Sequence, residues 1–197
     1  LVGTLTATAA VGIGFFIATT QYRAARWSVF LNPFDPAQYK NEGWQPAHSL
    51  LGLASGGIFG VGLGGSRQKW GNLPEAHTDF IFAVIGEELG LLGSLFILAL
   101  LGTLIYCSLR IAMRSSDSFT RFACAGIASW IAIQTILNIG SAVSLLPVVG
   151  VTLPLLSYGG SALIATYLGI AFIASSALRD PEIKLEVKQF VAQRLHR

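Results

Sequence analysis

The chain has 197 residues, 53% of them hydrophobic and only 12% charged, about half the charged share of an ordinary soluble domain. That composition excludes a water-soluble globule, and three runs without any Asp, Glu, Lys or Arg, residues 1–22, 89–109 and 122–178, make up half of the chain. The net charge of +3 gathers in one short loop and the C-terminal tail, a membrane-flanking pattern that argues against nucleic acid as a partner.

A helix crossing the hydrocarbon layer needs ~20 apolar residues. The first two runs therefore hold one span each and the third holds two. The predicted spans are 1–20, 80–109, 120–143 and 155–178: an all-α, polytopic membrane protein with four transmembrane helices, one long outer loop over 21–79 and a tail over 179–197. The first span, Leu1 to Thr20, has no initiator Met, no basic segment before it and no small-residue cleavage site at its end. It is not the pattern of a signal peptide, and the expectation is a piece of a longer chain with further spans upstream.

The loop over 21–79 carries Arg23, Arg26, Lys40, Arg67 and Lys69, against the positive-inside tendency, which binds a loop of this length only weakly. Ordinary solvated charge accounts for any one of them equally well. Its middle, Gly56 to Ser66, formally satisfies G-x-G-x-x-G at Gly60, Gly62 and Gly65. A dinucleotide site would also need a preceding strand, a following helix and a later acidic residue in a soluble βαβ unit. The glycines read better as places where backbone approaches closely, to a neighbouring helix in the first instance, or to an anionic ligand beside Arg67-Gln68-Lys69.

Next comes Leu73-Pro74-Glu75-Ala76-His77-Thr78-Asp79-Phe80-Ile81-Phe82-Ala83, two carboxylates and a histidine where the loop re-enters the membrane. A carboxylate partly desolvated at a helix start can serve as a general base. Thr78 or Asp79 capping the helix is an equally good account. Glu87 and Glu88 follow Asp79 in the same predicted helix, which puts Glu87 within about 80° of the Asp79 face, where it is expected to line the same cavity, and points Glu88 away toward a polar partner on another helix.

Cys107 and Cys124 fall inside predicted spans and are read as packing residues, with no disulfide or metal knuckle. Arg110, Arg114 and Arg121 bracket one short loop, and Arg179, Lys184, Lys188, Arg194 and Arg197 follow the last span, which makes both segments cytoplasmic. The two spans of the third run are separated by Pro147, Gly150 and Pro154, since proline withdraws a backbone donor and disfavours helix before it.

The residues quoted so far, together with Phe30-Leu31-Asn32-Pro33-Phe34, Gln134, Asn138-Ile139-Gly140, Leu145-Leu146-Pro147 and Leu153 to Ser161, resemble the C-terminal half of the SEDS family (shape, elongation, division, sporulation), which includes FtsW, RodA and SpoVE. Leu73 to Gly90 and Leu153 to Ser161 are its most specific segments, and Gln68-Lys69 with Pro74-Glu75-Ala76-His77 leans toward the FtsW branch. Ser144 stands where the family usually has glycine, and Val149 where it has threonine.

The resemblance implies an inverting peptidoglycan glycosyltransferase in the bacterial cytoplasmic membrane, active at the outer face on lipid II, an undecaprenyl-pyrophosphate-linked disaccharide-pentapeptide. It implies a class B penicillin-binding protein and other divisome or elongasome membrane proteins as partners. It places the essential acid at Asp79. Arg23, Arg26, Lys69, Glu75, His77, Glu87, Ser157 and Gly159 are the candidate substrate-binding residues. Mg²⁺ or Mn²⁺ is an expected companion of the pyrophosphate, although the sequence shows no ligand cluster. A lipid II transporter would use the same cavity and charges without a base, and a non-catalytic divisome scaffold would need neither.

Overall fold

The computed structural model describes residues 29, 32–37, 39–71 and 73–179. The predicted first span, Arg23, Arg26 and the tail beyond Arg179 lie outside these residues. The described residues form α1 (Trp44–Gly56), a short 3-10 turn (Gln68–Trp70), α2 (Ile81–Arg114), α3 (Ser118–Ala142) and α4 (Gly160–Arg179). No strand occurs among them.

Three of these helices, α2, α3 and α4, are long and apolar enough to cross a membrane. Leu92, Phe96, Leu100, Phe122, Ile133, Ile136 and Leu168 are exposed on them; so much exposed apolar surface would be an aggregation hazard in water but suits contact with lipid. Buried positions instead hold small and weakly polar residues, Ser108, Ala112, Cys124, Ala128, Thr135 and Ser141, the composition that lets membrane helices approach closely. Ser108 and Thr135 donate to carbonyls one turn back in their own helices, so their hydroxyls are satisfied without water. Cys124 is buried as expected, whereas Cys107 is exposed on α2.

The turn between α2 and α3 is built by Asp117. Its carboxylate accepts from the Thr120 amide at 2.8 Å and the Thr120 hydroxyl at 2.7 Å, closing an N-cap on α3. Those two bonds hold the carboxyl below the usual aspartate range. Arg121 folds its guanidinium onto the Ser115 carbonyl at 2.9 Å, and that carbonyl follows directly after the end of α2.

Two features depart from the predicted elements. The segment predicted as a loop over 21–79 contains α1, whose buried face is Pro46, Ala47, His48, Ser49, Gly52 and Gly56. That face is small rather than apolar, so it leaves no hydrophobic periodicity to read. The Ser49 hydroxyl donates to the Ala142 carbonyl at 2.6 Å, tying α1 to the end of α3. A Cβ at Gly56 would overlap the Gly86 carbonyl, so α1 meets α2 backbone to backbone.

The second departure is a break in α2. Gly90 has φ 69° and ψ −165°, outside helical space. Unbroken, the 34 residues of α2 would reach about 51 Å at 1.5 Å per residue, well beyond the ~30 Å hydrocarbon layer. The part after the break, 91–114, gives about 36 Å and is sufficient. The glycine-rich segment fills the gap. Leu91 and Leu92 amides donate to Gly57 and Ile58 carbonyls at 2.9 and 3.3 Å, while Val61 and Gly62 amides donate to Glu87 and Glu88 carbonyls at 2.9 and 3.1 Å. Four backbone groups freed by the break are thus repaired by a loop, as an apolar surround requires.

α4 begins at Gly160 rather than at 155. The residues before it form a turn in which the Ser157 hydroxyl accepts from the Leu153 amide at 2.7 Å and Leu155 takes φ 67°.

Candidate active site

The segment Leu73–Phe80 packs under the N-terminal end of α2, anchored by Leu73, Ala76 and Phe80, which form one buried cluster with Ala83 and Val84. Glu75 adopts φ 56°, rare for a residue with a side chain. In that geometry its carbonyl accepts from the amides of Thr78, Asp79 and Phe80 at 3.1–3.2 Å, and its carboxylate accepts from the Thr78 hydroxyl at 2.8 Å.

Three residues from two other segments then grip the turn at three consecutive carbonyls. The Tyr158 amide donates to His77 at 2.9 Å, the Ser157 hydroxyl to Thr78 at 2.6 Å and the Asn138 amide nitrogen to Asp79 at 2.8 Å. Asn138 is 1% exposed and also donates to the Val151 carbonyl at 2.7 Å. The Asp79 carboxylate, half-buried, faces Gly150: a Cβ built on that glycine, itself at φ 78°, would stand 3.4 Å from Asp79 Oδ2. Asp79 is therefore fixed through its backbone from α3 and from the turn before α4.

Phe80, not Thr78 or Asp79, holds the N-cap position of α2, and the Thr78 hydroxyl is turned back to Glu75.

Glu87 is not beside Asp79 in role or surroundings. Asp79 precedes the helix, so the helical angle between them does not apply. Glu87 is 1% exposed, and its carboxylate accepts from the Ser66 hydroxyl, the Arg67 amide at 3.0 Å, the Gln68 amide at 3.3 Å and the Ser55 hydroxyl at 3.3 Å. Those donors pin the end of the glycine-rich segment to α2, so the expected substrate contact at Glu87 is corrected to an architectural one. The Lys69 ammonium lies 3.6 Å from Glu88 and 5.6 Å from the Trp70 ring. Glu88 does meet a polar partner, contributed by the 3-10 turn rather than by another long helix.

The glycines divide into two kinds. A Cβ at Gly60 would overlap the Glu88 carbonyl, and one at Gly90 would overlap Gly60 and Ile58, so close approach is required at Gly60. Gly62 and Gly64 have open space around them but φ 99° and 78°; conformation, not proximity, demands glycine there. The segment docks against helix backbone, and the dinucleotide reading falls with it.

His77 is exposed and, with Ile81, Leu156, Ser157, Tyr158 and Leu163, lines a cavity of about 370 Å³ beside the Asp79 turn. Ser157 lines it while spending its hydroxyl on backbone, and Gly159 makes only ordinary contacts with Thr152 and Ala162. Among the described residues no group of three or more His, Cys, Asp or Glu side chains is placed to hold a metal ion. They do not by themselves make a ligand set for Mg²⁺ or Mn²⁺, and the proposed mechanism runs no step through one. Asn138 carries no site role in the sequence reading; its signal was an amide in the middle of a charge-free span, where a polar group is costly.

The fold and the clamped acid define a multi-pass, all-α membrane protein with an acidic site at the foot of a broken helix. Residues 1–180 match the family model described as the FtsW, RodA and SpoVE cell cycle proteins, and the chain belongs to that family. It is 43% identical over 177 residues to a probable peptidoglycan glycosyltransferase FtsW of Dichelobacter nodosus, covering 88% of this chain and 43% of the relative. Stage V sporulation protein E of Bacillus subtilis is 43% identical over 167 residues, covering 83% of this chain and 45% of the relative. The chain thus spans under half the length of these curated relatives.

Two solved structures are similar. One, from work on the structural coordination of polymerization and crosslinking by a peptidoglycan synthase complex, aligns with TM-score 0.65 and 28% identity over 87% of this chain and 46% of that one. The other is a mutant of the Thermus thermophilus rod shape determining protein RodA, with TM-score 0.51 and 36% identity over 68% of this chain and 40% of that one.

Proposed function

We propose that this chain carries the catalytic carboxylate, Asp79, of a peptidoglycan glycosyltransferase that polymerises lipid II at the outer face of the bacterial cytoplasmic membrane, where it acts as general base. The observation that carries the reading is the triple clamp on the carbonyls of His77, Thr78 and Asp79, which fixes the backbone beneath the Asp79 carboxylate at the start of α2. Effort of that kind spent on one exposed turn is the signature of a preorganised site. The outward orientation is supported by Arg110, Arg114 and Arg121, which lie at the opposite end of α2 from Asp79.

In this mechanism the Asp79 carboxylate takes the proton from the acceptor sugar hydroxyl as that oxygen attacks the anomeric carbon of the donor. The new glycosidic bond forms with inversion while the anomeric carbon–oxygen bond to undecaprenyl pyrophosphate breaks. The pyrophosphate leaves as an anion, and Arg23 and Arg26 are the proposed cations that stabilise it. His77 and Glu75, exposed beside Asp79, are proposed to contact the sugars. A class B penicillin-binding protein is the proposed partner, in keeping with the neighbour from a peptidoglycan synthase complex, within a larger division or elongation assembly.

The test is polymerisation of purified lipid II by the full-length protein with its penicillin-binding partner. Wild type is expected to give glycan product, and Asp79→Asn is expected to lower the rate by ~10²–10⁴-fold at unchanged expression and thermal stability. Lipid II movement without product in wild type, or near-normal polymerisation by Asp79→Asn, overturns the reading.

A further inference from the structure

We propose that Asn138 is a positioning residue for this site: its amide sets where Asp79 stands relative to the Gly150 backbone that its carboxylate faces. The inference rests on the reading of Asp79 as the base. Both atoms within reach of the Asn138 nitrogen are carbonyl oxygens, of Asp79 at 2.8 Å and Val151 at 2.7 Å. A carbonyl only accepts, so the amide must turn its nitrogen toward both, and its two N–H groups are fully used. Its Oδ1 is buried with no hydrogen-bond partner. A fully buried amide that leaves its own acceptor unsatisfied is a poor packing element, and what it gains is the join between two segments.

That join is specific. Val151 directly follows Gly150, so the amide that holds the Asp79 backbone also holds the wall in front of the Asp79 carboxylate. The two other grips on the turn, Tyr158 on His77 and Ser157 on Thr78, do not involve residues 150 or 151. Loss of Asn138 removes the amide that bonds both the Asp79 and the Val151 carbonyls, and so loosens the placement of Asp79 relative to Gly150. Both bonds from the Asn138 nitrogen end on main-chain oxygens, so its effect on the Asp79 carboxylate passes through backbone. A base displaced by about 1 Å loses on the order of 10²-fold in rate while substrate affinity is retained.

The test uses full-length protein with its penicillin-binding partner and purified lipid II, with kcat expressed per folded molecule. Asn138→Leu keeps the volume and removes both donors; Asn138→Ser keeps one short donor and is the milder variant if the leucine fails to fold. Thr135→Val is the control, because that buried hydroxyl on the same helix bonds only its own backbone at Ile131. Expected is a fall in kcat of roughly 10–100-fold for Asn138→Leu and less for Asn138→Ser, with KM within about twofold, and unchanged kinetics for Thr135→Val. An unchanged kcat per folded molecule in the variant that folds, or a KM effect at constant kcat, overturns the proposal. Asp79→Asn run in parallel separates the failures. If it is inactive while Asn138→Ser turns over normally, the positioning role alone falls; if it polymerises lipid II, both fall.

Discussion

Asp79 and Glu87 are acids eight residues apart at the same end of one helix, and the protein treats them in opposite ways. At Glu87 the carboxylate itself is the fixed object, fully buried and surrounded by four donors from residues 55–68. At Asp79 the backbone is the fixed object, and the carboxylate, half-buried, is presented toward Gly150. Donors aimed at a side chain make it part of the architecture. Donors aimed at its carbonyl fix the backbone that carries it, and the proposed chemistry at Asp79 rests on that second arrangement.

The largest expected effects break this contrast directly. Asp79→Asn should abolish polymerisation and leave the melting temperature unchanged, whereas Glu87→Ala should do the reverse of the second part. Each buried donor it leaves unpaired costs on the order of 1–3 kcal/mol, so the protein should lose thermal stability and detergent-extracted yield together with activity. Equal stability of the two variants, by thermal melting in detergent, would erase the distinction.

The glycine-rich segment sharpens it next. Gly60→Ala places a methyl on the Glu88 carbonyl and should undock the segment from the broken helix, with a large loss of stability. Gly62→Ala meets no neighbour and pays only for a positive φ, about 1–2 kcal/mol. Gly62→Val should be worse than Gly62→Ala through backbone conformation alone, because a β-branched side chain tolerates positive φ least. An alanine variant as stable as wild type would show that positive φ is not what demands glycine at residue 62.

Lys69→Met should cost on the order of 1–3 kcal/mol, because the Glu88 side chain that loses its cation is only 12% exposed and its Oε1 is buried with no hydrogen bond. It should lower thermal stability through loss of the Glu88 pair and leave KM for lipid II unchanged. A raised KM would return Lys69 to the substrate.

The smallest effect lies at the far end of α2. Asp117 is fully exposed, and its carboxyl is held below the usual aspartate range first by the Thr120 amide and then by the Thr120 hydroxyl. A depressed folded-state value means that the unfolded chain binds the proton first as pH falls. Its contribution to stability is therefore present above the ordinary aspartate range and lost as pH drops through the lower folded value. Asp117→Ala should melt slightly lower than wild type at neutral pH, and the two curves should converge in acid. A gap that persists in acid would show that the cap does not depend on the carboxylate.

What the sequence determined by itself was whatever is local or additive. Charge-free runs of sufficient length announce membrane helices whatever they pack against, and the arginines at 110, 114 and 121 mark the end of α2 and the start of α3 because charge asymmetry needs no tertiary partner. The acidic turn at 73–83 was legible as a site from its residue types. Tertiary structure decided what depends on who faces whom. α1 escaped notice because it buries glycine, serine and alanine, and the break in α2 escaped because Gly90 is an unremarkable residue in an apolar helix until residues 57–62 arrive to repair it. Glu87 and Asp79 carry the same functional group at the same helix end, so composition cannot separate them; the separation is made by donors from residues 55–68 in one case and from Asn138, Ser157 and Tyr158 in the other. Hydrogen bonds across 13 to 79 positions of chain leave no periodic trace in the sequence, because each depends on a single pair of groups brought together only when the helices have packed.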